Sequence, residues 1–381
     1  MIIALDQSIP CREKAFSEFG AIRPFPGRDL KPEAIRDADA LIVRTITRVN
    51  APLLEGSSIR FVASASAGFD HVDRDYLKER GIHFYHAAGC NAGAVSEYIM
   101  TALYRIAGRR GWDLKRLSLA VIGVGNVGSL VAKKAGAIGM EVLLCDPPLR
   151  DLTGDPRYIP WESALEADIL TFHVPLVSSG PYPTRHMVDR SLLGRLRPDQ
   201  FIINSARGEV IDGRQLKTAL IEKRIAGAVL DVWEGEPHYD RSLLELIDIG
   251  TPHIAGVTLD AKIKAVDMVR EELGRFCGRT PLASLYRRLF SGEKKILRPE
   301  GLTARTDTVN SILQQAYDIE TDNGALRSAN LLPIDQAAAA FDRLRDHHPL
   351  RPEFPNFRVC LSRQHENAAA ALAGLGFSLV S

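Results

Sequence analysis

Three residues whose side chains could act together, Arg207, Glu236 and His253, lie just beyond predicted β-strand ends, in the segments FIINSARGEVID, VLDVWEGEP and GTPHIAG. Because a parallel sheet places the carboxyl ends of its strands at one edge, we expect the three side chains to face one crevice. Arginine can bind a carboxylate through two N–H groups, and histidine can take a hydroxyl proton while glutamate orients its ring. The set predicts hydride removal from a 2-hydroxy acid, with Arg207 as substrate clamp, His253 as acid and base, and Glu236 as its partner.

A glycine-rich turn lies between a predicted strand and a predicted helix in the segment AVIGVGNVGSLVAKKAG. The first glycine permits a tight turn, the second lets a pyrophosphate approach the backbone, and the third lets the helix pack closely on the strand. The N–H groups at the start of the helix bind such an anion. The dinucleotide contacts predicted in this turn are Gly123, Gly125, Asn126, Val127 and Gly128.

An acidic residue ends the next predicted strand, EVLLCD. Asp146 comes 18 residues after Gly128, where its carboxylate accepts hydrogen bonds from the ribose on the adenine side. The same charge repels a 2′-phosphate, and the next residues are Pro147 and Pro148 rather than a basic pair. NAD is therefore favoured over NADP, while the nearby Arg150 keeps NADP open.

Short apolar runs alternate with longer helix-compatible segments along most of the chain, which predicts βα units and parallel sheets. The first series is MIIAL, ALIVRT, RFVASA and IHFYH. The second series is apolar almost throughout, as expected for strands covered by helices on both faces: LSLAVIG, EVLLC, DILTFHV, QFIINS and AGAVLDV. The predicted fold class is α/β, with a doubly wound (Rossmann) NAD domain and an N-terminal βα domain that forms the other wall of a cleft.

The pattern changes beyond about residue 281. A basic linker rich in proline and glycine covers 282–304. Helical patterns near 306–318 and 334–346, followed by the short strands FRVCLS and GFSLVS, predict a small α+β domain. The expected division is a substrate or lid domain at 1–92, completed by about 258–281, a dinucleotide-binding domain at 93–257 and a C-terminal domain at 282–381.

Charge and cysteine content exclude several classes of function. The 48 Lys and Arg against 47 Asp and Glu give a net charge of +1, so nucleic-acid binding driven by bulk charge is not expected. The chain contains no run of about 18 apolar residues, so no membrane span is expected. The five cysteines are scattered without a C-x-x-C pair, which is typical of a cytoplasmic protein, and no metal site is expected.

Several motifs taken together resemble the D-isomer-specific 2-hydroxyacid dehydrogenases: AGFDHVD, GVGNVG, NSARGEVID, LDVWEGEP and HIAG. The resemblance spans nearly the whole chain, and VRTITRVN, AGCNAGAVSEY, LLCDPP, GPYPT and the FDRLRDHH segment are similar to one branch of the family. It implies NAD-dependent oxidation of 4-phospho-D-erythronate at C2 in the synthesis of vitamin B6. It also implies a flavodoxin-like substrate domain and a C-terminal domain through which the chain forms a homodimer.

The resemblance also implies roles position by position. Arg207, Glu236 and His253 match the family's catalytic residues. Thr45 and Ser66 match its substrate contacts, and Arg44 lies beside them as a charge suited to phosphate. The cofactor contacts implied outside the glycine turn are Asp146, Val174, Ser205, Ala206, Asp231 and Gly256.

One position departs from the family pattern. The family has a tyrosine that touches substrate directly after HIAG, whereas this chain has Val257 there. Another 2-hydroxy acid, such as 3-phosphoglycerate, glyoxylate or hydroxypyruvate, therefore stays open as the substrate. A non-catalytic NAD-sensing module also stays open, although the intact set of Arg207, Glu236 and His253 counts against it.

Overall fold

The chain divides into two units, and each is built around a parallel sheet. The computed structural model describes residues 1–279, 283–290, 294–300 and 304–380. Unit 1 consists of Met1–Ala92 and Thr258–Glu293, and unit 2 consists of Gly93–Val257 and Lys294–Ser381. The predicted start of the C-terminal domain at residue 282 lies outside the described residues.

Strands and helices are numbered along the chain. The strands are β1 (Ile2–Asp6), β2 (Ala21–Phe25), β3 (Ala40–Val43), β4 (Phe61–Ser64), β5 (His83–His86), β6 (Ser118–Ile122), β7 (Glu141–Cys145), β8 (Ile169–Phe172), β9 (Phe201–Asn204), β10 (Gly227–Leu230), β11 (Ile249–Gly250), β12 (Lys295–Leu297), β13 (Phe357–Cys360) and β14 (Ser378–Val380). The helices are α1 (Arg12–Phe16), α2 (Ala51–Leu54), α3 (Arg74–Glu79), α4 (Ala92–Arg110), α5 (Asn126–Ile138), α6 (Pro147–Thr153), α7 (Trp161–Ala164), α8 (Arg190–Leu193), α9 (Gly213–Ile221), α10 (Arg241–Leu246), α11 (Leu259–Phe276), α12 (Leu285–Leu289), α13 (Arg305–Ala316), α14 (Ile319–Asn330), α15 (Ile334–Asp346) and α16 (Ala369–Leu375).

Unit 1 contains a five-stranded parallel sheet in the order β2-β1-β3-β4-β5. This is the flavodoxin-like strand order expected from the family resemblance. Every residue of β3 and β4 is buried, because helices cover the sheet on both faces and the two runs, ALIV and FVAS, carry small and apolar side chains. The long helix α11 returns from the second half of the chain to pack in this unit.

Strand β2 was not predicted from the sequence. Its run, AIRPF, contains Pro24, which has no N–H group to contribute to a central sheet ladder. The structure places β2 at the edge of the sheet, beside β1 alone, where a proline is tolerated.

Unit 2 contains a six-stranded parallel sheet in the order β11-β10-β9-β8-β6-β7. The five predicted strands of the second series are all present, within two residues of the predicted bounds. The chain crosses from β7 over β6 to β8, so the carboxyl ends of β6 and β8 form the topological switch point at which doubly wound sheets bind ligands. The glycine turn follows β6 directly, which confirms the Rossmann-like fold class.

The C-terminal segment of unit 2 has its own three-stranded parallel sheet, β12-β13-β14, with helices α13 to α16. Three elements of this segment were not predicted from the sequence: β12, α14 and α16. Strand β12 lies inside the predicted linker, since a three-residue run is too short to give a pattern. Helix α14 fills the gap between the two predicted helices. The proposed three-domain division stays a prediction.

No helix among the described residues has both the length and the apolar character needed to cross a membrane.

Candidate active site

His253 and Glu236 are joined by a hydrogen bond between the imidazole Nδ1 and the carboxylate Oε1, which lie 2.5 Å apart. The histidine follows β11, and the glutamate lies in the turn after β10, so two adjacent strand ends position them. The side chains are 28% and 22% exposed, respectively. The pair is therefore held by the sheet edge and is still open to a ligand.

This hydrogen bond decides which ring nitrogen of His253 can take a proton. Because the ionised carboxylate accepts from Nδ1, the neutral ring keeps its lone pair at Nε2. Burial acts to raise the pKa of Glu236, but the charge and hydrogen bond of His253 oppose it, together with Arg345 and the N–H of Trp233, and the net result is a lowered pKa. An ionised partner of this kind favours the imidazolium that forms when Nε2 accepts a proton.

Asp231 holds the loop that carries His253. Its carboxylate is buried and accepts from Ile254 N at 2.8 Å, Ala255 N at 2.9 Å and Thr251 Oγ1 at 2.7 Å. His253 itself has a left-handed backbone, with φ of 57°. These bonds stabilise a conformation that a non-glycine residue rarely adopts. Asp231, predicted as a cofactor contact, thus also has a structural role that the sequence pattern did not indicate.

Arg207 lies in the turn that follows β9. Its Nη1 donates to the carbonyl oxygen of Ala206 at 2.8 Å. The side chain of Asn204 shapes this turn, since Nδ2 donates to the Arg207 carbonyl at 2.9 Å and Oδ1 accepts from Ala206 N at 3.0 Å. A Cβ at Gly208 would overlap the carbonyl group of Trp233, so the turn packs directly on the segment that leads to Glu236.

Asn204 is a residue that the sequence analysis missed. It is buried at the end of an otherwise apolar strand. The nitrogen and the oxygen of its side-chain amide both form hydrogen bonds with the backbone of the Arg207 turn. A polar residue that ends an apolar run, directly before S-A-R-G, was the available signal. Asparagine at that point satisfies one donor and one acceptor of a tight turn.

The glycine turn has the geometry that a dinucleotide requires. Gly123 has φ of 86°, and a Cβ there would lie 2.8 Å from the carbonyl oxygen of His173 and 2.9 Å from Val174 Cγ1. A Cβ at Gly128 would overlap the carbonyl oxygen of Gly123, so only glycine allows α5 to approach β6 this closely. Around Gly125 a Cβ would meet nothing within 4 Å, which leaves space for a ligand. Asn126 and Val127 form the first turn of α5.

Asp146 is fixed at the end of β7. Its Oδ2 accepts from Val124 N at 2.8 Å, and its Oδ1 accepts from Leu149 N at 3.0 Å as the N-cap of α6. Each carboxylate oxygen can accept a second bond, so the side chain is oriented and still able to bind ribose hydroxyls. The geometry of Asp146 therefore fits its predicted role as the contact for the ribose on the adenine side.

Ser205 gives independent support for a polar ligand at this edge. Its Oγ is buried and has no hydrogen-bond partner among the residues that the structure describes. A buried hydroxyl without a partner is costly, so a bound polar group would satisfy it. Next to it Ala206 is buried, and Gly256, in the loop after His253, is partly exposed. These features fit a bound dinucleotide.

Three of the four predicted substrate contacts, Arg44, Thr45 and Ser66, belong to unit 1. Arg44 and Thr45 follow β3, and Ser66 follows β4, at the same edge of the unit 1 sheet. Arg44 Nε donates to the buried carboxylate of Asp6 at 2.9 Å, and Ser66 Oγ lies 2.6 Å from Ser64 Oγ. Val257 belongs to unit 2, where it is partly buried against the hydrophobic core.

Two family models match the chain. One describes the NAD binding domain of the D-isomer specific 2-hydroxyacid dehydrogenases and covers residues 93–255. The other is described only as a domain of unknown function (DUF3410) and covers residues 295–376.

Curated proteins resemble the chain over its full length. Erythronate-4-phosphate dehydrogenase of Yersinia enterocolitica is 40% identical over 379 residues, covering 99% of this chain and 99% of the relative. The protein of the same name from Salmonella typhimurium is 41% identical over 382 residues, covering 100% of this chain and 99% of the relative.

Solved structures share the fold. D-lactate dehydrogenase from Aquifex aeolicus, complexed with NAD and lactic acid, has a TM-score of 0.61 at 24% identity and covers 73% of this chain and 96% of its own. NAD-dependent formate dehydrogenase from Staphylococcus aureus, in complex with NAD, has a TM-score of 0.60 at 21% identity. The match covers 74% of this chain and 97% of the formate dehydrogenase chain. The chain therefore belongs to the D-isomer specific 2-hydroxyacid dehydrogenase family and is an NAD-dependent oxidoreductase.

Proposed function

We propose that this enzyme oxidises 4-phospho-D-erythronate at C2 to (R)-3-hydroxy-2-oxo-4-phosphooxybutanoate, a step in the synthesis of vitamin B6. The observation that carries the proposal is the hydrogen-bonded pair of His253 and Glu236 at adjacent strand ends. The full-length relatives named for this substrate support the choice among 2-hydroxy acids.

The side chains divide the chemistry between them. Arg207 binds the substrate carboxylate and polarises the C2 oxygen, because its planar cation can donate to two oxygens at once. His253 takes the C2 hydroxyl proton at Nε2, and Glu236 keeps the ring in the required tautomer. NAD, when bound, accepts the hydride that leaves C2.

The cofactor and substrate contacts form part of the same proposal. The residues proposed to contact the substrate are Arg44, Thr45, Ser66 and Val257. The residues that would hold NAD are Gly123, Gly125, Asn126, Val127, Gly128, Asp146, Val174, Ser205, Ala206, Asp231 and Gly256.

A panel of substrates tests the proposal. NADH formation is measured with 4-phospho-D-erythronate, its non-phosphorylated form, 3-phosphoglycerate and the reduced forms of glyoxylate and hydroxypyruvate. We expect kcat/KM to be highest for 4-phospho-D-erythronate. A higher value for a non-phosphorylated acid would reject this substrate, and the absence of turnover on every acid would favour an NAD-sensing module.

The His253→Ala variant separates catalysis from cofactor binding. We expect kcat to fall about 10²- to 10⁴-fold, the contribution of a positioned acid and base. The Kd for NADH, followed by fluorescence, should stay within about twofold because His253 makes no part of the glycine turn. Unchanged kcat would show that another group is the base.

The proposal also includes a homodimer formed through the C-terminal segment. Leu331 and Ile334, where α14 meets α15, are 84% and 68% exposed, which is unusual for adjacent large apolar side chains. Sedimentation of the full chain should give a dimer, and replacing both residues by glutamate should shift it toward a monomer.

A cytoplasmic location is also part of the proposal. It is consistent with the five described cysteines, none of which forms a disulfide bond.

A further inference from the structure

The C-terminal segment, which matches a domain of unknown function, packs against the loop that carries Glu236. Phe341 on α15 is fully buried, and its ring centroid lies 5.5 Å from that of Tyr239. The ring of Tyr239 lies in turn 5.2 Å from that of Trp233. Trp233 and Tyr239 are both buried and flank Glu236 in the sequence. Both flanks of the Glu236 turn therefore belong to an aromatic cluster that α15 completes.

Helix α14 forms hydrogen bonds with α10, the helix that follows this loop. Asn330, at its end, donates from Nδ2 to the Arg241 carbonyl at 3.3 Å and to Glu245 Oε1 at 2.6 Å. Arg327 donates to the carbonyl oxygens of Leu244 at 2.9 Å and Ile247 at 2.8 Å. Helix α14 is thus fixed to α10 at several points, and the Phe341 contact gives side chains on α15 a defined position relative to the Glu236 loop.

Arg345, in the last turn of α15, lies close to the carboxylate of Glu236. Its Nη1 lies 3.7 Å from Oε1 of Glu236, the same oxygen that accepts from His253 Nδ1 at 2.5 Å. The Arg345 side chain is 23% exposed, so the charge is only partly screened by water. Guanidinium, carboxylate and imidazole therefore meet at one oxygen atom.

We propose that Arg345 is a positioning residue for the reaction: it keeps Glu236 ionised and in place, and Glu236 in turn holds His253. The inference rests on the proposed role of His253 as the base. It gives the C-terminal segment a part in catalysis that is separate from dimer formation. Two side chains that can carry positive charge lie beside the Glu236 carboxylate: His253, after β11, and Arg345, on α15. Asp231 holds the backbone of the His253 loop through hydrogen bonds.

Steady-state kinetics of Arg345→Met test the inference. The substitution keeps an apolar stem and removes the charge. We expect kcat to fall about 5- to 30-fold, a range that matches coupling between contacting residues. The KM values for substrate and NAD should stay within about twofold, because Arg345 acts through Glu236 rather than on a ligand. Arg345→Lys should recover most of kcat.

Arg343→Met is the matched control. Arg343 lies in the same last turn of α15 but is exposed. We expect wild-type kcat, KM and melting temperature for it. Melting temperatures of all variants show whether a loss in Arg345→Met reflects unfolding, and the lysine variant keeps the proposal testable if the methionine variant does not fold.

A double-mutant cycle with Glu236→Gln decides the mechanism. If Arg345 acts through Glu236, Arg345→Met causes no further loss of kcat in the Glu236→Gln background. An equal loss in both backgrounds would overturn the inference. So would a loss confined to KM for phosphorylated substrates, because Arg345 would then bind the substrate phosphate.

A spectroscopic measurement is independent of turnover. In carbon-13 NMR of glutamate-labelled protein, we expect the Glu236 carboxyl to titrate at higher pH in Arg345→Met than in the wild type, with Arg343→Met unchanged. An unchanged titration would overturn the inference. If 4-phospho-D-erythronate is not oxidised, this titration still tests the contact, so failure of the proposed substrate and failure of the positioning role give different results.

Discussion

Asp231 and His253 are connected through the backbone: the N–H of His253 donates to the carbonyl oxygen of Asp231 over 2.7 Å. The Asp231 carboxylate then accepts from the two N–H groups that follow His253, at 2.8 and 2.9 Å. One buried acidic residue at the end of β10 thus fixes the path of the loop after β11. The orientation of the predicted base depends on a residue that need not touch the substrate.

Asp231→Ala should lower both stability and activity. Three donors lose a buried acceptor, so we expect the free energy of unfolding to fall by about 2 to 4 kcal/mol. We also expect kcat to fall about 100-fold, because His253 loses the support for its left-handed backbone. Urea denaturation and steady-state kinetics measure the two effects, and a variant with wild-type stability would contradict this account of the loop.

Glu236→Gln should change how stability depends on pH. The native pKa of Glu236 lies below its ordinary value of 4.5, so the unfolded chain binds the proton more readily. The stabilising contribution of the carboxylate is complete above pH 4.5 and is lost as pH falls through the native pKa. The difference in free energy of unfolding between wild type and Glu236→Gln should therefore be constant at neutral pH and shrink in acid. A difference that does not change with pH would show that the carboxylate is not stabilised in the native state.

Arg207→Lys should impair the enzyme although it keeps the charge. Lysine cannot donate to two carboxylate oxygens in one plane, and it would lose the bond that Arg207 Nη1 makes to the Ala206 carbonyl. We expect kcat/KM to fall at least about 100-fold, while the Kd for NADH changes little. Near-normal kcat/KM in the same assay would exclude the clamp role.

Two glycines on α5 form a matched pair. A Cβ at Gly128 would overlap the Gly123 carbonyl, whereas a Cβ at Gly136 would meet nothing within 4 Å. We expect Gly128→Ala to lower the free energy of unfolding by about 1 to 3 kcal/mol and to weaken NAD binding at least about tenfold. Gly136→Ala should raise stability by about 0.5 to 1 kcal/mol because alanine favours the helix. Titration calorimetry and urea denaturation compare the two, and equal effects would contradict the close packing of α5 on β6.

Local patterns in the chain determined much of the fold. The apolar runs of the second series correspond to β6 to β10, and Gly123, directly after β6, has the positive φ that a tight glycine turn allows. These predictions succeeded because strand and helix periods, and the steric freedom of glycine, act within a few residues of the chain. Among the elements that were missed, β2 with Pro24 and the two-residue β11 carry too little local pattern to be recognised.

The contacts that define the candidate site were decided only by the tertiary structure. Nothing in the spacing of Glu236 and His253 shows that Nδ1 is the nitrogen bonded, and this choice leaves Nε2 to accept the proton. Likewise, Arg345 is more than 100 residues from Glu236 in the chain and reaches it because α15 packs on Tyr239. Residue types suited to the chemistry can be recognised from the sequence, because they are properties of single side chains and short turns. Which atoms meet depends on the path of the whole chain, since hydrogen bonds and ion pairs act only over a few ångströms.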